Sequence, residues 1–128
     1  DALRVRPGAV VTVGFWLSNS GPGKVGEVEA RVDLPDRADS ALELELEVTW
    51  SGNAGREKTT DAATIFVSPS ESRACARYVP QSTREREGDG PRRASTLDWI
   101  TSESGAFLDQ FGSSLSEIRF VYFNVVVI

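Results

Sequence analysis

Residues 42–50 alternate strictly between apolar and polar side chains, in the order Leu-Glu-Leu-Glu-Leu-Glu-Val-Thr-Trp. Successive side chains on a β-strand point to opposite faces of a sheet, so the apolar side chains would line one face and the glutamates the other. On a helix the same apolar residues would scatter around the axis and form no buried stripe. The segment therefore predicts a half-buried antiparallel strand.

The same two-residue period recurs along the chain and is interrupted by turn residues. Besides 42–50 it occurs, in longer or shorter form, in residues 3–6, 9–18, 25–34, 62–67, 72–79 and 117–128. Glycine, proline, asparagine and serine separate these segments at intervals of roughly ten residues. Such spacing predicts an all-β fold of about seven or eight strands, arranged as an antiparallel sandwich or barrel.

Two segments lack this alternation. Residues 81–95 contain almost no apolar side chain and include a Gly-Asp-Gly-Pro sequence, which predicts a long, mobile polar loop. Residues 104–111 place three large apolar side chains at helical spacing, after an N-cap serine and before a glycine. This pattern predicts a short helix.

The length of 128 residues suits one domain that spans 1–128. A chain of this size buries about two-thirds of its unfolded surface, so it needs neither disulfides nor metal for a core. The single Cys75 excludes an internal disulfide. Because the chain begins without Met and ends in an apolar run, we interpret it as a domain excised from a larger protein.

Charge and composition narrow the classes of function. The net charge of −5 repels phosphate backbones, which argues against a nucleic-acid partner. No apolar run approaches the ~20 residues that span a bilayer, so we expect no membrane insertion. The chain has no His, which removes the Ser-His-Asp triad, the Cys-His dyad and the commonest metal ligand. We therefore expect no catalytic residues and no cofactor.

Three carboxylates at a spacing of three are the candidate metal ligands: Asp33, Asp36 and Asp39. Oxygen ligands of this kind could hold Ca²⁺ in the loop between two strands. The residue order of an EF-hand loop is absent, so the alternative interpretation is a solvated acidic loop.

The acidic faces of 25–34 and 41–50 constrain how these strands pair. In a hairpin with matched apolar faces, Asp33 would oppose Glu43 and Glu29 would oppose Glu47, which is destabilising. We therefore expect the two strands not to be adjacent, the connection crossing between sheets. One alternative is that cations cover this face, and another is that exposed strands tolerate like charges at a modest loss of stability in salt. The candidates for that cover, and for binding, are Arg84, Arg86, Arg92 and Arg93.

Two tryptophans are candidate binding residues. Trp16 alternates with Phe15 and Leu17 and so faces the other side of its strand. If that side meets solvent, Trp16 is a contact for sugar or protein. If the polar loop or the short helix covers it, Trp16 belongs to the core, which is the interpretation we favour. Trp99 is the second candidate.

Part of the chain resembles a known family. The segments Val5-Arg-Pro-Gly-Ala-Val-Val-Thr-Val, Leu17-Ser-Asn-Ser-Gly-Pro-Gly and Val28-Glu-Ala-Arg-Val-Asp-Leu-Pro look like the opening of bacterial and archaeal surface immunoglobulin-like repeats. The resemblance covers residues 5–35 and implies an immunoglobulin-like β-sandwich that serves as a spacer or adhesive module on a secreted or surface protein. It implies an extracellular or cell-surface location and no catalytic residues.

These observations leave three hypotheses for function. The first is a non-catalytic interaction or spacer module that contacts a protein partner or a neighbouring domain. The second is a carbohydrate-binding module that uses an exposed tryptophan. The third is an enzyme domain fragment, because a pair of carboxylates is enough for glycoside hydrolysis.

Overall fold

The computed structural model describes residues 2–18, 25–52, 55–87, 93–94, 106–111 and 119–128. Within these ranges the chain forms ten β-strands and no helix. The strands are β1 (Ala2–Val5), β2 (Val10–Leu17), β3 (Val25–Asp33), β4 (Ala41–Gly52), β5 (Gly55–Val67), β6 (Ala76–Tyr78), β7 (Arg84–Glu87), β8 (Arg93–Ala94), β9 (Ala106–Phe111) and β10 (Arg119–Val127).

The strands form two five-stranded sheets. Sheet A has the order β1-β5-β4-β3-β9, in which only the edge pair β1–β5 is parallel. Sheet B has the order β2-β10-β7-β8, and β6 pairs with β10 beside β7. This architecture confirms the prediction of an all-β, sandwich-like fold. Within the described residues no helix is long and apolar enough to cross a membrane.

The core receives side chains from both sheets. Its buried residues include Leu42, Leu44 and Val48 on β4, and Val121 and Phe123 on β10. Along β4 they alternate with the exposed or half-buried glutamates of the outer face, as the sequence predicts. Burial of the apolar face between two sheets is therefore what holds β4 in its register.

The predicted helix over 104–111 is wrong, because Ala106–Phe111 forms strand β9 along the edge of β3. Unpaired backbone groups of β3 gain hydrogen-bond partners in this way. A helix of about eight residues is marginal by itself and depends on tertiary packing, so a sheet edge can override its local pattern.

The predicted polar loop over 81–95 is wrong in part. Arg84–Glu87 forms β7, which lies between β10 and β8 in sheet B. Residues 88–92 and 95 lie outside the described residues. The Arg-Glu-Arg-Glu sequence has no apolar stripe, and β10 supplies the hydrogen-bond partners that composition does not reveal.

The prediction that 25–34 and 41–50 are not adjacent is also wrong. β3 and β4 pair antiparallel, with Val32 opposite Leu46 and Asp33 opposite Glu45. This register is displaced by two residues from the predicted one, so the apolar faces stay matched. Glu29 now faces Thr49 instead of a glutamate, which removes one of the two like-charge pairs. The shift relieves part of the repulsion without a crossover, and Asp33 and Glu45 remain opposite each other.

Candidate binding surface

The outer face of sheet B is set by alternation along β2 and β10. Val11 on β2 and Val121, Phe123 and Val125 on β10 are buried, so the residues between them point outward. Trp16 is one of these and is 61% exposed. The interpretation of Trp16 as a core residue is therefore wrong, because most of its surface meets solvent.

One row of side chains crosses three adjacent strands of sheet B. Trp16 on β2 lies opposite Phe120 on β10, and Phe120 lies opposite Arg86 on β7. The guanidinium carbon Cζ of Arg86 lies 4.2 Å from the centroid of the Phe120 ring, a cation–π contact. Within the described part of the chain, the buried Nε of Arg86 has no hydrogen-bond partner. Arg86 is thus held by stacking on the ring.

A second row lies beside the first. Tyr122 on β10 lies between Gly14 on β2 and Arg84 on β7. The Nη1 of Arg84 donates to the carbonyl oxygens of Gln81 and Thr83, both at 2.9 Å, and the side chain remains exposed. We call the surface formed by Trp16, Phe120, Tyr122, Arg84 and Arg86 the aromatic–arginine face.

Two residues of the segment between β6 and β7 attach this part of sheet B to its neighbours by hydrogen bonds. The backbone N–H of Asn124 donates to Ser82 Oγ at 2.9 Å, so the serine side chain replaces a ladder partner. Thr83 is fully buried and shares a hydrogen bond with the Tyr78 hydroxyl. These polar contacts hold the segment beside β10, where β7 begins. Arg84 and Arg86 of β7 then point to the outer side of sheet B.

The remaining arginine and tryptophan candidates do not add described side chains to this face. Arg93 lies in β8, with its Cα opposite that of Glu85. Trp99 and Arg92 lie outside the described residues. Arg84 and Arg86 belong to sheet B, so they do not cover the acidic outer face of sheet A, and that prediction is wrong for these two residues.

The three candidate metal ligands occupy different surroundings. Asp33 Oδ1 accepts a hydrogen bond from Arg31 at 3.2 Å, and Asp36 is exposed. Asp39 Oδ1 accepts from the Ser40 N–H at 2.7 Å, and backbone donors at Ser40 and Ala41 lower the pKa of this carboxyl. The described residues contain no group of three or more His, Cys, Asp or Glu that could hold a metal ion.

A shallow groove opens between the two sheets. Val13, Phe15, Leu44, Leu46 and Ala63 belong to its lining, and its volume is about 80 Å³. Ligand pockets usually measure ~300–1,000 Å³. The groove is therefore too small for a ligand of that class, and we regard the exposed face of sheet B as the better binding surface.

Sequence reasoning named Trp16, Arg84 and Arg86 separately, and the structure brings them onto one face. It did not name Phe120 or Tyr122 as site residues. The sequence feature that could have indicated them is the last strand, because large apolar side chains occupy both of its faces. The face that points away from the core is then expected either to pack under another part of the chain or to contact a partner.

Comparison with protein-family models, curated proteins and solved structures gives no match for this chain. The likeness of residues 5–35 to immunoglobulin-like repeats therefore stays a prediction. A function has to be inferred from the geometry and chemistry of the residues themselves.

Proposed function

We propose that this chain is a non-catalytic β-sandwich interaction module that contacts a protein partner or a neighbouring domain through the aromatic–arginine face. The observation that carries the proposal is the row of Trp16, Phe120 and Arg86 across three strands, with Trp16 61% exposed. Tryptophan, tyrosine and arginine dominate the binding energy of protein interfaces, where aromatic side chains are enriched. A flat sheet face that carries them suits a partner with an equally flat surface.

Rigidity supports the same proposal. Phe120 and Tyr122 alternate on β10 with Val121 and Phe123, which are fully buried. The core therefore fixes the backbone that carries these two half-buried rings, and Arg86 is stacked in advance on Phe120. Side chains ordered before binding lose less conformational entropy when a partner arrives.

The wider setting follows from the resemblance of residues 5–35. We infer an immunoglobulin-like module that spaces domains or adheres, on a secreted or cell-surface protein. The two-sheet, all-β architecture supports membership of this broad class. The absence of His from the sequence and the small volume of the groove support a non-catalytic role.

A carbohydrate-binding module is the second candidate, and the exposed indole of Trp16 is the observation that favours it. Sugar rings stack on exposed aromatic faces. Phe120 is covered on one side by Arg86, so the indole of Trp16 is the more open ring of the pair. A protein partner is favoured because arginines flank the rings on the same face.

Site-specific photo-cross-linking in the source organism tests the first function. A photoreactive residue at position 84 reports on sheet B, and the matched control at the exposed position 60 reports on the outer face of sheet A. We expect one protein to be captured from position 84 and not from position 60, and Trp16→Ala to abolish that capture. Equal capture from both positions, or no cross-link from position 84 either to another protein or to a neighbouring domain of the same chain, would contradict the proposal.

A fluorescence titration with soluble polysaccharides tests the second function. A saturable blue shift that disappears in Trp16→Ala would support the carbohydrate module instead. The other two tryptophans remain in that variant, so it isolates the signal of Trp16.

A further inference from the structure

Strand β2 lies at the edge of sheet B. It pairs with β10 on one side, and no described strand pairs with the other. Val127 N donates to the Ala9 carbonyl, and hydrogen bonding alternates along an antiparallel pair. The backbone N–H and C=O groups that point away from β10 are therefore those of Val10, Thr12, Gly14 and Trp16.

Strand β2 is long and carries neither the charged residues nor the proline that normally protect an edge strand from pairing. The eight residues of β2 include no charged residue and no proline. By contrast, β1 at the edge of sheet A has four residues and carries Arg4. Natural edge strands are normally short, charged or interrupted, because a long apolar edge is a template for another strand.

We propose that β2 pairs antiparallel with β2 of a second copy of this chain, across a two-fold axis at Val13. In this register Val10 of each copy lies opposite Trp16 of the other, and Thr12 lies opposite Gly14. Val10 and Trp16 are the exposed large apolar side chains of β2, each 61% exposed. The pairing therefore brings Val10 and Trp16 into contact twice, once on each side of the two-fold axis, and both exposed side chains of each copy are partly covered.

Charge and hydrogen-bond geometry agree with this occupant. Since β2 has no charged side chain, two copies bring no like charges opposite each other. The residues whose backbone N–H and C=O groups point away from β10 all have even numbers. The proposed register places even-numbered residues of one copy opposite even-numbered residues of the other, so these groups can hydrogen bond to each other. The sheet then continues across both copies, with the two aromatic–arginine faces on the same side.

Mass measurement over a concentration series tests the pairing, by light scattering or sedimentation equilibrium. We expect the wild-type mass to rise from 13.9 kDa toward twice that value. Thr12→Pro should remain at the monomer mass, because it removes an outward N–H without removing a bond to β10. Thr12→Val is the matched control: it also loses the hydrogen bond from Thr12 Oγ1 to Asn124 Oδ1 but keeps the N–H, and should still dimerise.

Thr12→Lys is a second variant that keeps the backbone donor and adds an edge charge, in case proline disturbs folding. We expect it to be monomeric with an unchanged circular dichroism spectrum. Hydrogen exchange supplies an internal control: dimerisation should protect the amides of Val10, Thr12, Gly14 and Trp16. The odd-numbered amides are already bonded to β10 and should change little.

A wild-type mass that stays at the monomer value at every soluble concentration would overturn the proposal. Dimerisation of Thr12→Pro or Thr12→Lys equal to that of wild type would overturn it as well. Both variants keep Trp16, Phe120 and Arg86, so loss of the dimer alone leaves cross-linking from position 84 as a separate test of the proposed function.

Discussion

The ring of Tyr122 lies so close over Gly14 that a Cβ atom added at Gly14 would be 2.8 Å from Tyr122 Cδ1. The two residues are cross-strand partners in β2 and β10, and the register is regular on both sides of them. A glycine within a strand predicts either a bulge or a close approach. Here the close approach is the reason, because the missing side chain leaves room for the tyrosine ring.

Gly14→Ala should therefore destabilise the fold, by about 1–3 kcal/mol, because the new methyl group overlaps the Tyr122 ring. Urea unfolding measures the change. In a Tyr122→Ala background the same substitution should be stabilising by about 0.5–1 kcal/mol, since alanine loses less backbone entropy than glycine. The same cost in both backgrounds would show that the ring does not decide this position.

Leu44→Ala should destabilise the fold by about 2–5 kcal/mol, because it removes a side chain that is 3% exposed between the sheets. The neighbouring Glu45→Ala is the matched control, since Glu45 lies on the outer face and its removal should change stability by less than about 0.5 kcal/mol. Thermal melts of the two variants give the comparison. Equal melting temperatures would mean that the apolar stripe of β4 is not buried.

Thr83→Val should cost about 0.5–1.5 kcal/mol, because it keeps the side-chain shape but removes the hydrogen bond with the Tyr78 hydroxyl. Thr83 is fully buried, so solvent does not replace this bond. In a Tyr78→Phe background the cost of Thr83→Val should be smaller, and a double-mutant cycle from denaturant unfolding measures the coupling. Strictly additive costs would contradict the interaction.

Asp39 should make stability depend on acid pH. Backbone donors at Ser40 and Ala41 lower its pKa in the folded chain. The carboxylate therefore stabilises the fold above its unfolded pKa, and this contribution is lost as the pH falls through the folded pKa. Asp39→Asn should melt below wild type near neutral pH, and the difference should close in strong acid. A gap that stays constant across this range would rule out the linkage.

The strands with apolar–polar alternation were predictable, and the strands that lack it were not. β2, β3, β4 and β10 carry their own apolar stripes. Their predicted first and last residues agree with the structure to within about two residues, although the ends of strands are the least certain part of a sequence-based assignment. β7, β8 and β9 form where a neighbouring strand offers unpaired backbone groups. Those backbone groups lie on another strand that is distant in sequence, so the local composition predicted a loop over 81–95 and a helix over 104–111 instead.

The members of the candidate site were partly predictable, but their grouping was not. Trp16 and Arg86 are 70 residues apart in sequence, from 16 to 86, and each could be named from its residue type alone. They lie in one row because β10, the last described strand, enters between β2 and β7. Until that strand is placed, nothing in the local sequence relates the indole to the guanidinium.

The sequence by itself determined that the chain is all β and which side chains of β3 and β4 are buried, because a period of two with one polar face admits only one apolar face. The tertiary structure alone decided the register of β3 on β4, the conversion of residues 106–111 into a strand, and the exposure of Trp16. These depend on backbone hydrogen bonds and cross-strand neighbours that are distant in sequence. Long-range pairing energies of this kind leave no local pattern from which they could be read.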